Sequence, residues 1–315
     1  MSKIAFIYPG QGAQKAGMGA DFYENSEIAR YIFDQAGEEL DLDMKELCFE
    51  ENDRLDLTEY TQAAMVTTCL AMTRVAESKG LKADITAGLS LGEYPAIAAV
   101  GGMNDMDAIR LVRKRGILMQ NTVPAGEGAM CAVISMAAEE IEKVIEPIAD
   151  VSVANYNCPG QIVITGKTDA VEEAAAKLKE AGARRTIMLN VSGPFHSQML
   201  VPAGEKLAEE LEHTRFHELR IPYVTNVTAE KVTDIRETPG LLTTQISSPV
   251  RWMQSMERMI ADGVDTFVEI GPGKTLEGFL RKIDRSVKVF HISQWEDVDK
   301  VCTELADSGK MMEEA

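Results

Sequence analysis

Ser90 lies in the pentapeptide GLSLG, residues 88–92, which has the G-x-S-x-G spacing of a nucleophile elbow. Glycines on both sides allow a tight strand-to-helix turn that lifts the hydroxyl clear of the backbone. The flanks suit such a turn, because ADITA before it reads as a strand and LGEYPAIAA after it as a helix. Ser90 would then stand at a helix N-terminus beside the Leu91 amide, and that N–H and the helix dipole suit an oxyanion. A serine hydroxyl is a weak nucleophile until a base takes its proton. Of the histidines at 196, 213, 217 and 291, His196 in SGPFHSQML is the best placed. It precedes a helical run with Leu200, Ala203, Leu207 and Leu211 on one face, whose N-terminus would help keep the imidazole neutral and basic. His213 and His217 flank the end of a charged helix and read as solvated groups.

Arg115 adds a binding function. In RLVRKRG, Leu111 lies four residues before it and Leu118 three after, which puts Arg115 on an apolar helical stripe while Arg113 and Lys114 point elsewhere. No acidic residue falls three or four positions away on either side. A guanidinium desolvated there would look to a substrate carboxylate for a two-pronged hydrogen bond.

The elements that must hold these groups follow from the apolar pattern. Residues 3–8 form a buried first strand that ends at Pro9-Gly10 and feeds the loop GQGAQKAGMG. Residues 61–78 recur at helical spacing, with Gly80 where a C-terminal cap belongs. The strand at 83–88, the short helix after Ser90 and a longer helix over 105–121 complete a β-α-β-α order, which predicts a parallel sheet covered by helices. From 125 to 192 the pattern becomes β-α-β-β-α-β, the ferredoxin-like order, and predicts a small inserted lobe. The main domain resumes with a helix over 200–211, strand-like IPYVTNV, and a helix with Ser248 as N-cap, Pro249 at its first position and Gly263 past its end. TFVEIG then closes the sheet, before a last helix and KVFHIS.

The 315 residues are 45% apolar and 26% charged, as expected of a soluble globular chain of about two domains. A net charge of −18 disfavours nucleic acid and anionic membrane surfaces as partners. There is no eighteen-residue apolar run, and the N-terminus is too short in apolar residues for a signal peptide. Cys48, Cys69, Cys131, Cys158 and Cys302 are odd in number, widely spaced and without C-x-x-C, so neither a disulfide framework nor a zinc knuckle is expected, and a reducing cytoplasm is the simplest setting. No metal site is expected around the histidines. Two glycine-rich segments do not complete nucleotide motifs. GQGAQK has Lys15 where G-x-G-x-x-G needs its third glycine, and GPGKT has Val268 where a P-loop needs its first.

GQGAQ, GLSLGEY, ANYNCPGQIVITG, GPFHS, SPVRW and EIGPGKTL occur in the order found in malonyl-CoA:acyl carrier protein transacylases, and the chain resembles that family over essentially its whole length. The resemblance implies an α/β fold: an α/β-hydrolase-like main domain of residues 1–124 and 193–315 with a parallel sheet, and a ferredoxin-like inserted domain of residues 125–192. It implies Ser90 as nucleophile, His196 as its base, Gln11 and the Leu91 amide as the oxyanion hole, and Arg115 as the clamp for a malonyl carboxylate. It further implies that the Gln245 backbone carbonyl orients the histidine, so that no third acidic residue is needed. Malonyl-CoA and acyl carrier protein are the implied partners, in ping-pong acyl transfer that supplies fatty acid biosynthesis without a cofactor. Leu89 departs from the family, which usually has histidine there. Phe195 resembles the malonyl-selective members. Because coenzyme A and carrier proteins are acidic, a local basic patch is expected, with Arg184, Arg185, Lys274, Arg281 and Lys282 as contributors. A polyketide acyltransferase, a serine hydrolase and a carrier-docking module without catalysis each share part of this pattern. A hydrolase has no need of Arg115, and a docking module has no reason to keep Ser90, Gln11, Arg115 and His196 together.

Overall fold

The computed structural model describes residues 2–307. Ten strands run in chain order through them: β1 (Lys3–Tyr8), β2 (Ile85–Gly88), β3 (Gly128–Ile134), β4 (Val151–Cys158), β5 (Gln161–Lys167), β6 (Arg185–Met188), β7 (Tyr223–Val224), β8 (Lys231–Val232), β9 (Val264–Ile270) and β10 (Lys288–Ile292). Every residue of β1 after Lys3 is buried, because both faces of its sheet are covered. Ile4, Phe6 and Tyr8 face one core with the long helix Thr58–Ser78, and Ala5 and Ile7 face a second core with Trp252, Met256 and Leu280.

The larger sheet has the order β10-β9-β1-β2-β7-β8. Its first five strands are parallel, and β8 is antiparallel to β7. The elbow is at the C-terminal end of β2, beside the end of β1, where open α/β sheets bring their loops together. The smaller sheet, β4-β5-β3-β6, is antiparallel throughout. The helices Ala138–Ile145 and Thr168–Glu180 cover one of its faces through Ile141, Ile145, Val171 and Leu178. Its other face, with Met130, Ala132, Ala154 and Val163, joins the main core.

Three expectations change. The helix expected from Ser248-Pro249 begins only at Trp252. The residues before it are held extended against β4, where the Val250 N–H donates to Ala154 O at 2.8 Å and the Tyr156 N–H to Val250 O at 2.9 Å. A tertiary pairing thus overrides a local capping signal. IPYVTNV yields only the two-residue strand β7, since Asn226 beyond it is used by the elbow. β9 lies inside the sheet, with β10 at the edge, and a helix at Trp295–Asp307 follows. Among the described residues no helix is long and apolar enough to cross a membrane, and no group of three His, Cys, Asp or Glu side chains is gathered for a metal.

Candidate active site

The elbow glycines are required by contact. A Cβ on Gly88 would lie 1.8 Å from the carbonyl carbon of Gly92, and one on Gly92 would lie 2.2 Å from Tyr8 O. Between them Ser90 has φ of 51°, the left-handed region that L side chains rarely adopt. Asn226 braces this conformation from β7's end: its Oδ1 accepts the Ser90 N–H at 2.6 Å and its Nδ2 donates to Gly88 O at 2.7 Å. Leu91, buried, continues a 3₁₀ turn over Ser90–Gly92 into the helix Glu93–Ala99.

His196 also has a positive φ, 60°, and is buried. Its Nε2 lies 2.8 Å from Ser90 Oγ, and its Nδ1 lies 2.9 Å from Gln245 O and 3.1 Å from Ser248 O. Carbonyls only accept, so Nδ1 carries the proton and Nε2 presents its lone pair to the serine. Burial, and then the nearby Arg115 charge, push the imidazole pKa down to about 4 against the two carbonyl hydrogen bonds. The imidazole is thus held neutral but less basic than expected, by desolvation and a neighbouring cation rather than by a helix end.

Arg115 is on the helix Asp105–Thr122 and is only 1% exposed. It shares the buried stripe with Leu111, Val112 and Met119, while Arg113 and Lys114 turn outward to Glu59 and Glu210. Its Nη1 donates to Gln62 Oε1 at 2.8 Å, and its Nη2 to Ser90 Oγ and Gln245 Oε1, both at 3.1 Å. These partners are neutral, and the Tyr94 ring faces the guanidinium at 5.3 Å. A cation so placed against a nucleophile suits an acyl group that carries its own carboxylate.

Gln11, in the loop after β1, donates from Nε2 to Thr58 Oγ1 at 3.0 Å, and Thr58 Oγ1 is 2.7 Å from Ser192 Oγ. Gln11, Ser90, Arg115 and His196 line one cavity of about 400 Å³, which Asn155 and Val163 of the smaller sheet close from the other side. Phe195 and Leu89 also line it. Lys274 precedes the helix Thr275–Ile283, whose Thr275, Leu276 and Phe279 form part of the wall, and Arg281 and Lys282 stand in that helix's last turn. Arg281 is engaged with Glu277. Arg184 and Arg185 are exposed at the start of β6. GPGKT is a strand-to-helix turn whose leading amides are taken by the chain's own Glu269, which accepts from Leu276 N at 3.1 Å and Glu277 N at 2.8 Å. His217, expected to be solvated, is half-buried. Sequence reading did not single out Asn226, Gln62, Thr58 or Glu93, and took Ser248 only as a helix N-cap. The position of Glu93 directly after the elbow was an available signal, and the others meet the site only through folding.

A serine on a strained elbow, hydrogen-bonded to a neutral histidine at the C-terminal edge of a parallel sheet, is a site for acyl transfer through a serine ester. Residues 5–298 match the acyl transferase domain family. The chain is 44% identical to the malonyl CoA-acyl carrier protein transacylase of Bacillus subtilis over 95% of its length and 96% of that protein. It superposes on the crystal structure of malonyl CoA-acyl carrier protein transacylase from Clostridium perfringens with a TM-score of 0.94, at 42% identity and 98% coverage of both chains. A structure described as a type II PKS acyl-carrier protein in complex with its malonyl-transacylase matches with a TM-score of 0.93 and 35% identity, over 96% of this chain and 100% of that one. The chain belongs to the acyl transferase family and, within it, to the malonyl CoA-acyl carrier protein transacylases.

Proposed function

We propose that the protein moves the malonyl group of malonyl-CoA to the phosphopantetheine thiol of acyl carrier protein through a malonyl ester of Ser90, in supply of fatty acid synthesis in the cytoplasm. The observation that carries this is the shared contact of Ser90 Oγ with His196 Nε2 at 2.8 Å and Arg115 Nη2 at 3.1 Å, which sets a nucleophile, its base and a carboxylate clamp around one point.

The thioester carbonyl carbon is attacked by Ser90 Oγ as its proton passes to His196 Nε2. The tetrahedral oxyanion faces the amides of Gln11 and Leu91, and Arg115 holds the malonyl carboxylate. Collapse breaks the C–S bond, and the imidazolium returns its proton to the departing thiolate. The carrier thiol then attacks the ester, losing its proton to the same nitrogen, and Ser90 leaves with that proton. Nδ1 keeps its proton throughout, held by the carbonyls of Gln245 and Ser248. Phe195 narrows the cavity beside His196, which favours malonyl over branched acyl groups. The fully antiparallel order β4-β5-β3-β6 supports a ferredoxin-like inserted domain of residues 125–192 in an α/β-hydrolase-like main domain of residues 1–124 and 193–315.

Intact-protein mass after mixing with malonyl-CoA tests the reading. The parent is expected to gain one malonyl group and Ser90→Ala none. The adduct should persist until holo carrier protein is added. Loss at the same rate without the carrier points to a hydrolase.

A further inference from the structure

Glu93 is wholly buried three residues after the nucleophile and has no place in the transfer steps above. Its Oε2 accepts two hydrogen bonds, from Gln245 Nε2 at 2.7 Å and from the Asn226 backbone N–H at 3.0 Å. Gln245 is the residue on which the site converges. Besides the carbonyl that meets His196, its Nε2 also donates to Ser90 O at 3.0 Å, and its Oε1 accepts from Arg115 Nη2. The orientation of this amide is decided by its partners. Nε2 sits between two acceptors, Glu93 Oε2 and Ser90 O, and Oε1 faces a donor. Rotating the amide by half a turn would put an oxygen against a carboxylate and an NH₂ against a guanidinium.

From this geometry we infer that Glu93 is a positioning residue for malonyl selectivity: it locks the Gln245 amide so that Oε1, and through it the Arg115 guanidinium, is held beside Ser90. Asn226 shares the carboxylate, so the same group ties the elbow brace to the clamp. Without the acceptor at Glu93, Gln245 Nε2 keeps only Ser90 O, and the part of the penalty against rotation that the carboxylate supplies is lost. Arg115 Nη2 then keeps Ser90 Oγ but loses the Gln245 oxygen that holds it beside that serine. An acyl group with a terminal carboxylate depends on where that guanidinium sits, and an acetyl group does not. General damage to the elbow would lower both substrates alike, so the malonyl-to-acetyl ratio isolates the effect on Arg115.

The inference rests on the malonyl-transfer reading, and the parent separates the two. A parent without preference for malonyl-CoA over acetyl-CoA overturns the reading itself. With that preference established, specificity constants for both thioesters are measured in Glu93→Ala and Glu93→Gln, with the KM and kcat parts resolved. In Glu93→Ala the malonyl-to-acetyl ratio is expected to fall about tenfold or more, chiefly through the malonyl-CoA KM. Glu93→Gln keeps an acceptor oxygen for both N–H groups and is expected to hold the ratio within about threefold of the parent. Equal losses on the two thioesters in Glu93→Ala, or a Glu93→Gln ratio as low as that of Glu93→Ala, overturns the inference. If Glu93→Ala does not fold, Glu93→Asp takes its place, because the shorter side chain withdraws the carboxylate from Gln245. A Glu93→Asp ratio equal to the parent's likewise overturns it.

Discussion

At the scale of single residues, the state of His196 sets how the site responds to pH. The imidazole must be neutral to act as base, and its pKa is lowered to about 4. Acylation should therefore be nearly independent of pH from neutrality down to about 5 and fall roughly tenfold per unit below about 4, measured by rapid mixing before acid unfolding intervenes. An acidic limb centred near 6.5 would mean an ordinary exposed histidine. Arg115→Ala should change two quantities together. Malonyl-CoA loses a buried charged partner, worth about 2 to 5 kcal/mol, or roughly 30-fold to several thousand-fold in kcat/KM, while acetyl-CoA loses little. Removing the cation also favours the imidazolium, so the acidic limb should move to higher pH. An unmoved limb with an unchanged malonyl-to-acetyl ratio would return Arg115 to a packing role. Ser90, His196 and Arg115 could be read from local sequence because each carries its own signal: an elbow, a loop before a helix, and a stripe. Asn226 could not, since its contact with Ser90 spans 136 residues and an asparagine at a strand end carries no pattern of its own.

Elements place these residues by backbone contact more than by propensity. Gly88→Ala would drive a Cβ into the Gly92 carbonyl, so it should cost more than about 3 kcal/mol of stability or abolish folding, as read by urea denaturation. A stable, active Gly88→Ala would mean the turn can open. The helix Thr275–Ile283 depends on Glu269, whose carboxyl is pushed up to about 7 by burial, against the stabilising backbone N–H bonds. A group with a raised folded pKa favours the folded state while protonated, so its contribution is full below about 4.5 and is lost as pH rises through about 7. Glu269→Gln removes that titration. Its stability relative to the parent should rise between pH 5 and pH 8 by up to about 3 kcal/mol, and a constant difference would show that the carboxyl does not titrate there. Strands and amphipathic helices were legible through their periodicity, and the four strands and two helices between residues 125 and 192 through their order. The false start at Ser248-Pro249 arose because a good cap sequence was also a good partner for β4, and pairing with that strand prevailed.

For the whole molecule, a net charge of −18 and an anionic thioester pose opposing fields. Charges separated by more than about 8 Å are screened at physiological ionic strength, so a cation near the cavity acts on the thioester more strongly than distant acidic surface does. Lys274, exposed ahead of the helix that forms one wall, is the nearest in sequence to lining residues. Added salt is therefore expected to lower kcat/KM for malonyl-CoA, and Lys274→Glu to weaken or reverse that dependence. A rate that climbs with salt in the parent would mean that global repulsion governs approach. The cavity between the two sheets was not foreseen, because sequence order places strands without saying which face of the smaller sheet packs on the larger.

The carbonyls that hold His196 have a further consequence for genetics. An aspartate in that place could be deleted by one codon change, but a peptide oxygen is present whatever side chain is encoded. Substituting Gln245 or Ser248 removes the amide or the hydroxyl and leaves both oxygens on the main chain. A systematic alanine survey would thus record the side chain of Gln245, with its links to Arg115 and Glu93, and credit the result to the histidine's support. Only chemistry that edits the backbone, such as ester-for-amide replacement by semisynthesis, addresses that support directly.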